Sequence, residues 1–123
     1  KKKSISFIQL LAPTTTRNRM RQIIRDSHDM VYYISMLSTT GGKLKVSSKK
    51  IIKNYYKIKK INNKINLVIG FGITDKNIRS LKSANGLVVG SLLCKIITNS
   101  VKKRQNPVTN LNKMLYKLKK EIS

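Results

Sequence analysis

Carboxylates are the scarcest functional groups in this chain of 123 residues: Asp and Glu together number 4, against 27 Lys and Arg. Asp26 and Asp29 fall around the end of a predicted helix, Asp75 at a predicted helix start and Glu121 in the last turn of the chain. None belongs to the end of a predicted strand, and no two are placed to work as general acid and base. A single His28 and a single Cys94 cannot complete a metal site with so few acids. His28 reads as a helix-end residue, and Cys94, in an apolar helical stretch, as a buried thiol. One cysteine also excludes an intrachain disulfide, which favours a reducing, cytoplasmic setting. No apolar run reaches the roughly 18 residues of a membrane-spanning helix, so no membrane role is expected. The opening Lys1-Lys2-Lys3 superficially resembles the charged region of a signal peptide. The apolar stretch behind it stops at Pro13 without a small-residue cleavage pattern and reads as the start of a strand. The chain does not open on Met and is expected to be a piece of something longer.

What is abundant is positive charge. A net charge of +23 points first to nucleic acid, which such a surface would bind without sequence preference. However, Lys, Ile and Asn make up 48 of the 123 residues, and all three are encoded by AT-rich codons. The basic residues are spread along the chain, not gathered in one block, so codon bias accounts for most of the charge.

The length fits one domain, residues 1–123, and a 40% hydrophobic fraction is enough for a core. The pattern repeats one unit, an apolar strand, a turn and a helix. Strands are predicted at Phe7–Leu11, Met30–Ser35, Asn66–Gly72 and Gly86–Gly90. The first helix carries Met20, Ile23 and Ile24 behind a Thr15 or Thr16 cap. The second starts near Ser47 or Ser48, with Ile51, Ile52, Tyr55, Tyr56 and Ile58 on its apolar side. A short third helix is capped by Thr74 or Asp75 and turns Ile78 and Leu81 inward. A fourth continues from Ser91, and Pro107 opens a last one striped by Val108, Leu111, Met114, Leu115 and Leu118. Strands apolar on both faces, alternating with helices, imply an α/β fold with a covered parallel sheet. Four such units are half of a (βα)8 TIM-type barrel, whose open edges and unfilled interior require a partner half.

In such barrels chemistry sits at the C-terminal strand ends. There the chain carries Ala12-Pro13-Thr14-Thr15, Ser38-Thr39-Thr40-Gly41-Gly42, Gly70-Phe71-Gly72 and Gly90-Ser91. Glycines let backbone N–H groups approach a phosphate, and a helix beginning at Ser91 would turn its positive end toward that anion. Paired glycines also serve as simple turns.

Taken in order, Phe7–Thr15, Val31–Ser35, Thr39-Thr40-Gly41, Gly70-Phe71-Gly72-Ile73 and Gly86–Ser91 resemble the second half of tryptophan synthase alpha chains, from about Ser6 to Ile97. The resemblance implies a (βα)8 barrel that cleaves indole-3-glycerol phosphate to indole and glyceraldehyde 3-phosphate. It implies a beta chain as partner, to which indole passes and to which pyridoxal phosphate belongs; no cofactor is implied for this chain. It assigns the substrate phosphate to backbone groups at Gly41, Gly70, Phe71, Gly72, Gly90 and Ser91. Tyr32 matches a substrate-facing tyrosine, and Thr40 the threonine of a mobile loop. The family's catalytic Glu and Asp come from a region ahead of this sequence, in the N-terminal half-barrel. No catalytic residue is therefore expected in this chain, and the chain alone is expected to be inactive.

Two departures stand out. The family's mobile loop reads Ser-x-x-Gly-Val-Thr-Gly, whereas Ser38 and Thr39 replace its first glycine and its valine. Ser38 restricts the backbone where glycine allows positive φ, which works against loop closure. The helix after Pro13 opens in the family with acidic residues. Arg17 and Arg19 stand there instead, at a positive helix end, each costing about 0.3–1 kcal/mol. The alternatives are another phosphate-binding barrel enzyme, an inactive fragment and a basic nucleic-acid-binding protein, although no helix-turn-helix, zinc or OB-fold signature is present.

Overall fold

A computed structural model of the chain describes residues 5–35, 38, 39, 42, 43 and 47–123. Four strands form one parallel sheet, β1 (Gln9–Leu11), β2 (Val31–Ile34), β5 (Leu67–Gly70) and β6 (Gly86–Val88), in the order β1-β2-β5-β6. The register runs Gln9 beside Val31, Val31 beside Leu67 and Val68 beside Gly86. The helices are α1 (Arg17–Asp26), α2 (Ser48–Lys59), α3 (Ser91–Lys102) and α4 (Pro107–Ile122), with a 3-10 turn at Ile78–Leu81. Sequence-adjacent parallel strands with a helical crossover between them are the repeating unit of a (βα)8 barrel.

Local chemistry explains the helix starts. Thr16, Ser47 and Asn106 sit in extended backbone and accept N–H bonds from the first turns of α1, α2 and α4. Pro107 occupies the first turn of α4, where its missing N–H costs nothing. The 3-10 turn is led by Asn77, not by Thr74 or Asp75. Asp75 instead forms an ion pair with Lys117 of α4 at 2.7 Å. In the long glycine-containing loop, β3 (Ser38–Thr39) pairs antiparallel with β4 (Gly42–Lys43). Ser38 is thus in a strand, an extended conformation that serine adopts without strain.

One face of the main sheet carries the core. Leu11, Val31, Tyr33, Leu67 and Ile69 are at most 1% exposed and pack with Ile23, Ile24, Ile51, Tyr55, Ile58, Ile78, Leu81 and Leu118 from the helices. The alternate face is covered only at its centre: Val68 is buried, but Leu10 on β1 is 57% exposed and Val88 on β6 is 40% exposed. The sequence suggests two covered faces. These residues cover one, because the other is the wall of a barrel interior that four strands cannot close.

Three packing expectations change. Cys94 is exposed. Helix α3 packs Leu92 and Leu93 against the core and buries Ser100, which puts Cys94, Ile97 and Val101 on the outer side. Along α4, Leu118 is buried and Met114 packs on the core, whereas Val108 and Leu115 face outward. In α2, Tyr55 is buried and Tyr56 is 47% exposed.

Candidate functional site

The C-terminal ends of β5 and β6 converge on a pocket of about 180 Å³ lined by Tyr32, Phe71, Gly72, Ile73, Val88, Gly90 and Ser91. The structure therefore brings together Tyr32, Phe71, Gly72, Gly90 and Ser91, with Gly70 directly behind them at the end of β5. Thr40 and Gly41 lie outside the described residues.

The two walls present different chemistry. After β5 the chain turns through Phe71 (φ 69°) and Gly72 (φ 68°), both in the left-handed region. For a bulky residue such as Phe71 this conformation is uncommon and must be held by its surroundings. The holders are two side chains. The Ser35 hydroxyl lies 2.7 Å from the Phe71 carbonyl oxygen and 2.9 Å from that of Gly70, and the Asn77 amide donates to the Gly72 carbonyl at 2.8 Å. The parallel pairing of Gly70 with Val88 turns the Phe71 N–H toward the Val88 carbonyl, and no protein acceptor for the N–H groups of Gly72 or Ile73 is found among the described residues.

The opposite wall is the start of α3. Gly90 is its cap residue and makes no side-chain capping bond. The Gly90 carbonyl accepts from Leu93 and Cys94, closing the first turn, and the Ser91 and Leu92 N–H groups have no backbone partner among the described residues. Uncapped N–H groups at a helix start, with the positive end of the helix dipole behind them, favour an anion. At Gly90 (φ −112°), a Cβ would meet nothing within 4 Å, so neither backbone nor packing demands glycine there.

Tyr32 and Phe71 complete the pocket with rings edge to face, 6.4 Å between centroids. Burial pushes the Tyr32 phenol above its ordinary value, so it stays a neutral hydrogen-bonding group at neutral pH. No carboxylate lines the pocket. Of the four in the sequence, Asp26 pairs with Arg25, Asp29 accepts from Ser6, Asp75 pairs with Lys117 and Glu121 lies in the last turn of α4. The arrangement can hold an oxyanion against an apolar and aromatic wall, but it offers no general base.

A larger cavity, about 670 Å³, opens between α1 and α2 with Arg17, Arg21, Lys57 and Lys60 around Met20 and Ile61. It shares no residue with the pocket at the glycine turns.

Sequence reasoning missed Ser35 and Asn77. Ser35 enters the Val31–Ser35 motif only as the end of a strand, and Asn77 lies outside every motif. A serine at the last buried position of a strand, followed by a glycine turn on the neighbouring strand, is the signal that points to the first.

Parallel βα units with an amide-lined pocket at their strand ends place the chain in the (βα)-barrel class. The family model described as "Tryptophan synthase alpha chain" matches residues 1–123, and the chain belongs to that family. It is 71% identical over 123 residues to the tryptophan synthase alpha chain of Pelagibacter ubique, covering all of this chain and 46% of that protein. The Aquifex aeolicus tryptophan synthase alpha chain is 38% identical over 98 residues, 78% of this chain and 37% of the relative. Among solved structures, tryptophan synthase subunit alpha from Legionella pneumophila superposes with a TM-score of 0.76 at 25% identity, over 94% of this chain and 41% of that one. The chain thus spans less than half the length of the relatives it matches.

Proposed function

We propose that this chain is the C-terminal, phosphate-binding half of a tryptophan synthase alpha barrel. The whole barrel cleaves indole-3-glycerol phosphate to indole and glyceraldehyde 3-phosphate. Gly41, Gly70, Phe71, Gly72, Gly90 and Ser91 hold the substrate phosphate by backbone groups, and Thr40 belongs to the mobile loop that closes over the site. Tyr32 stands against the substrate beyond the phosphate. The catalytic Glu and Asp come from the N-terminal half-barrel, and indole passes to a beta chain, which carries the pyridoxal phosphate. This chain has no cofactor of its own in this reading, and the enzyme works in the cytoplasm.

The observation that supports the proposal is the pairing of two sets of backbone N–H groups without a partner among the described residues, at Gly72–Ile73 and Ser91–Leu92, around one pocket. That is what a dianionic phosphate requires, and it is costly to leave without a ligand or water. The test joins this chain to its N-terminal half and assays indole release from indole-3-glycerol phosphate, with and without a beta chain. The expected result is cleavage by the joined protein and none by either half alone. A folded, joined protein that releases no indole would contradict the proposal.

A further inference from the structure

We infer that Ser35 and Asn77 are the positioning residues of the phosphate site, acting from behind the turn to aim its N–H groups into the pocket. The inference rests on the phosphate reading above and adds the device that makes the site. In a trans peptide the N–H points opposite to the carbonyl of the same unit. Three successive carbonyls, those of Gly70, Phe71 and Gly72, are held by Ser35 and Asn77, neither of which lines the pocket. The N–H groups of Gly72 and Ile73 are therefore directed away from these two holders, toward the pocket that both residues line.

The two holders divide the work. Ser35 is fully buried at the end of β2 and does not line the pocket. Its backbone N–H already donates to the Gly70 carbonyl at 3.0 Å, so the single hydroxyl proton is best used on the Phe71 carbonyl, the closer oxygen at 2.7 Å. That bond fixes the peptide following Phe71, the one residue here whose side chain disfavours a positive φ. Asn77 is clamped in turn, its side-chain oxygen accepting from the Thr74 N–H at 2.8 Å while its amide group holds Gly72. An anion site works when its donors are oriented before the ligand arrives, and these two side chains supply that orientation without touching the ligand.

The test uses the joined, full-length barrel and two substrates, indole-3-glycerol phosphate and the same compound without its phosphate, with inorganic phosphate as a competing probe. Ser35→Ala should lower kcat/KM for the phosphorylated substrate about tenfold, mainly through KM, and weaken inhibition by inorganic phosphate to a similar degree. Turnover of the unphosphorylated substrate should be unchanged. Ser35→Cys, similar in size with a weaker donor, should fall in between. Asn77→Asp keeps the acceptor for Thr74 and loses the donor to Gly72. It should reproduce the pattern, and it serves if Ser35→Ala fails to fold. Equal loss on both substrates, or no loss on either, would overturn the positioning role while leaving the phosphate site standing. If the unaltered enzyme shows no preference for the phosphorylated substrate and no inhibition by phosphate, the phosphate reading itself fails, and this inference with it.

Discussion

The Tyr32 ring lies so close over Gly70 that a methyl group built on Gly70 would stand 1.8 Å from the Tyr32 hydroxyl oxygen and 2.1 Å from Cζ. The pocket wall and the strand end are therefore fitted to each other, and glycine at position 70 is required by the neighbouring ring. Gly70→Ala should displace Tyr32 and cost about 1–3 kcal/mol as an overpacked site. Adding Tyr32→Ala to the same protein should relieve most of that cost. Urea unfolding of the two single variants and the double variant, in the joined barrel, checks it. Additive losses would mean that the two residues do not meet.

Gly90 predicts the opposite behaviour. A Cβ there meets no protein atom within 4 Å. Gly90→Ala should leave stability within about 0.5 kcal/mol of the original, as for a surface change. It should nonetheless weaken binding of a phosphorylated ligand, because the new methyl group enters the space beside the α3 N–H groups. Thermal unfolding and a phosphate titration on the same sample separate the two effects.

At the other end of the sheet, the Asn85 side-chain oxygen accepts from the Tyr55 hydroxyl at 2.9 Å, Lys59 Nζ at 3.1 Å and the Leu67 N–H at 3.2 Å. One amide thus ties α2 to the starts of β5 and β6, with Tyr55 almost fully buried. Asn85→Ala should cost about 1–3 kcal/mol by leaving those donors unpaired. Asn85→Asp, which keeps an acceptor and faces Lys59, should cost less. Chemical denaturation distinguishes them, with no change expected in substrate preference.

The Asp75–Lys117 pair sets a pH dependence. The hydrogen bond from Lys117 holds the Asp75 carboxyl below the usual carboxylate range, and Asp75 in turn raises Lys117. A depressed acid stabilises the fold above its unfolded-state value and loses that contribution as pH falls through its folded value. A raised lysine does so below its unfolded-state value and loses it as pH rises through its folded value. The tie between α4 and the segment before Ile78 should therefore be complete across neutral pH and fade at both extremes. The effect is small because Lys117 is largely exposed. Lys117→Met should flatten the acid limb of the stability profile, and an unchanged profile would show that the pair contributes nothing.

The chain's charge predicts polyanion binding that is salt-sensitive and indifferent to sequence, through a surface that includes the Arg17, Arg21, Lys57 and Lys60 cavity. Titration against several DNA and RNA sequences at low and physiological salt checks this. A strong preference for one sequence at physiological salt would promote a nucleic-acid function over codon bias as the origin of the charge.

Much of this architecture is legible in the residues. Alternating apolar runs and capping residues locate every strand of the main sheet and every long helix, while the choice of Thr16 over Thr15 and of Ser47 over Ser48 as caps is made by the folded backbone. Faces are less legible where a helix is apolar all round. Nothing in Leu92-Leu93-Cys94-Lys95-Ile96-Ile97 tells which stripe will pack, so Cys94 reads as buried and is exposed. Strand ends overrun as well: Phe7 and Ile8 have strand-like side chains, but β1 begins only at Gln9, opposite the start of β2 at Val31. The glycines of the site announce themselves, whereas Ser35 and Asn77 act through carbonyls whose direction only the folded backbone decides.

Electron density for a bound anion tests the central claim most directly. Crystals of the joined barrel, soaked in inorganic phosphate, should show one phosphate between the Phe71–Ile73 turn and the Ser91–Leu92 N–H groups, within about 3.2 Å of several of them. Phosphate found only on the outer basic surface, with this pocket filled by water, would contradict the account.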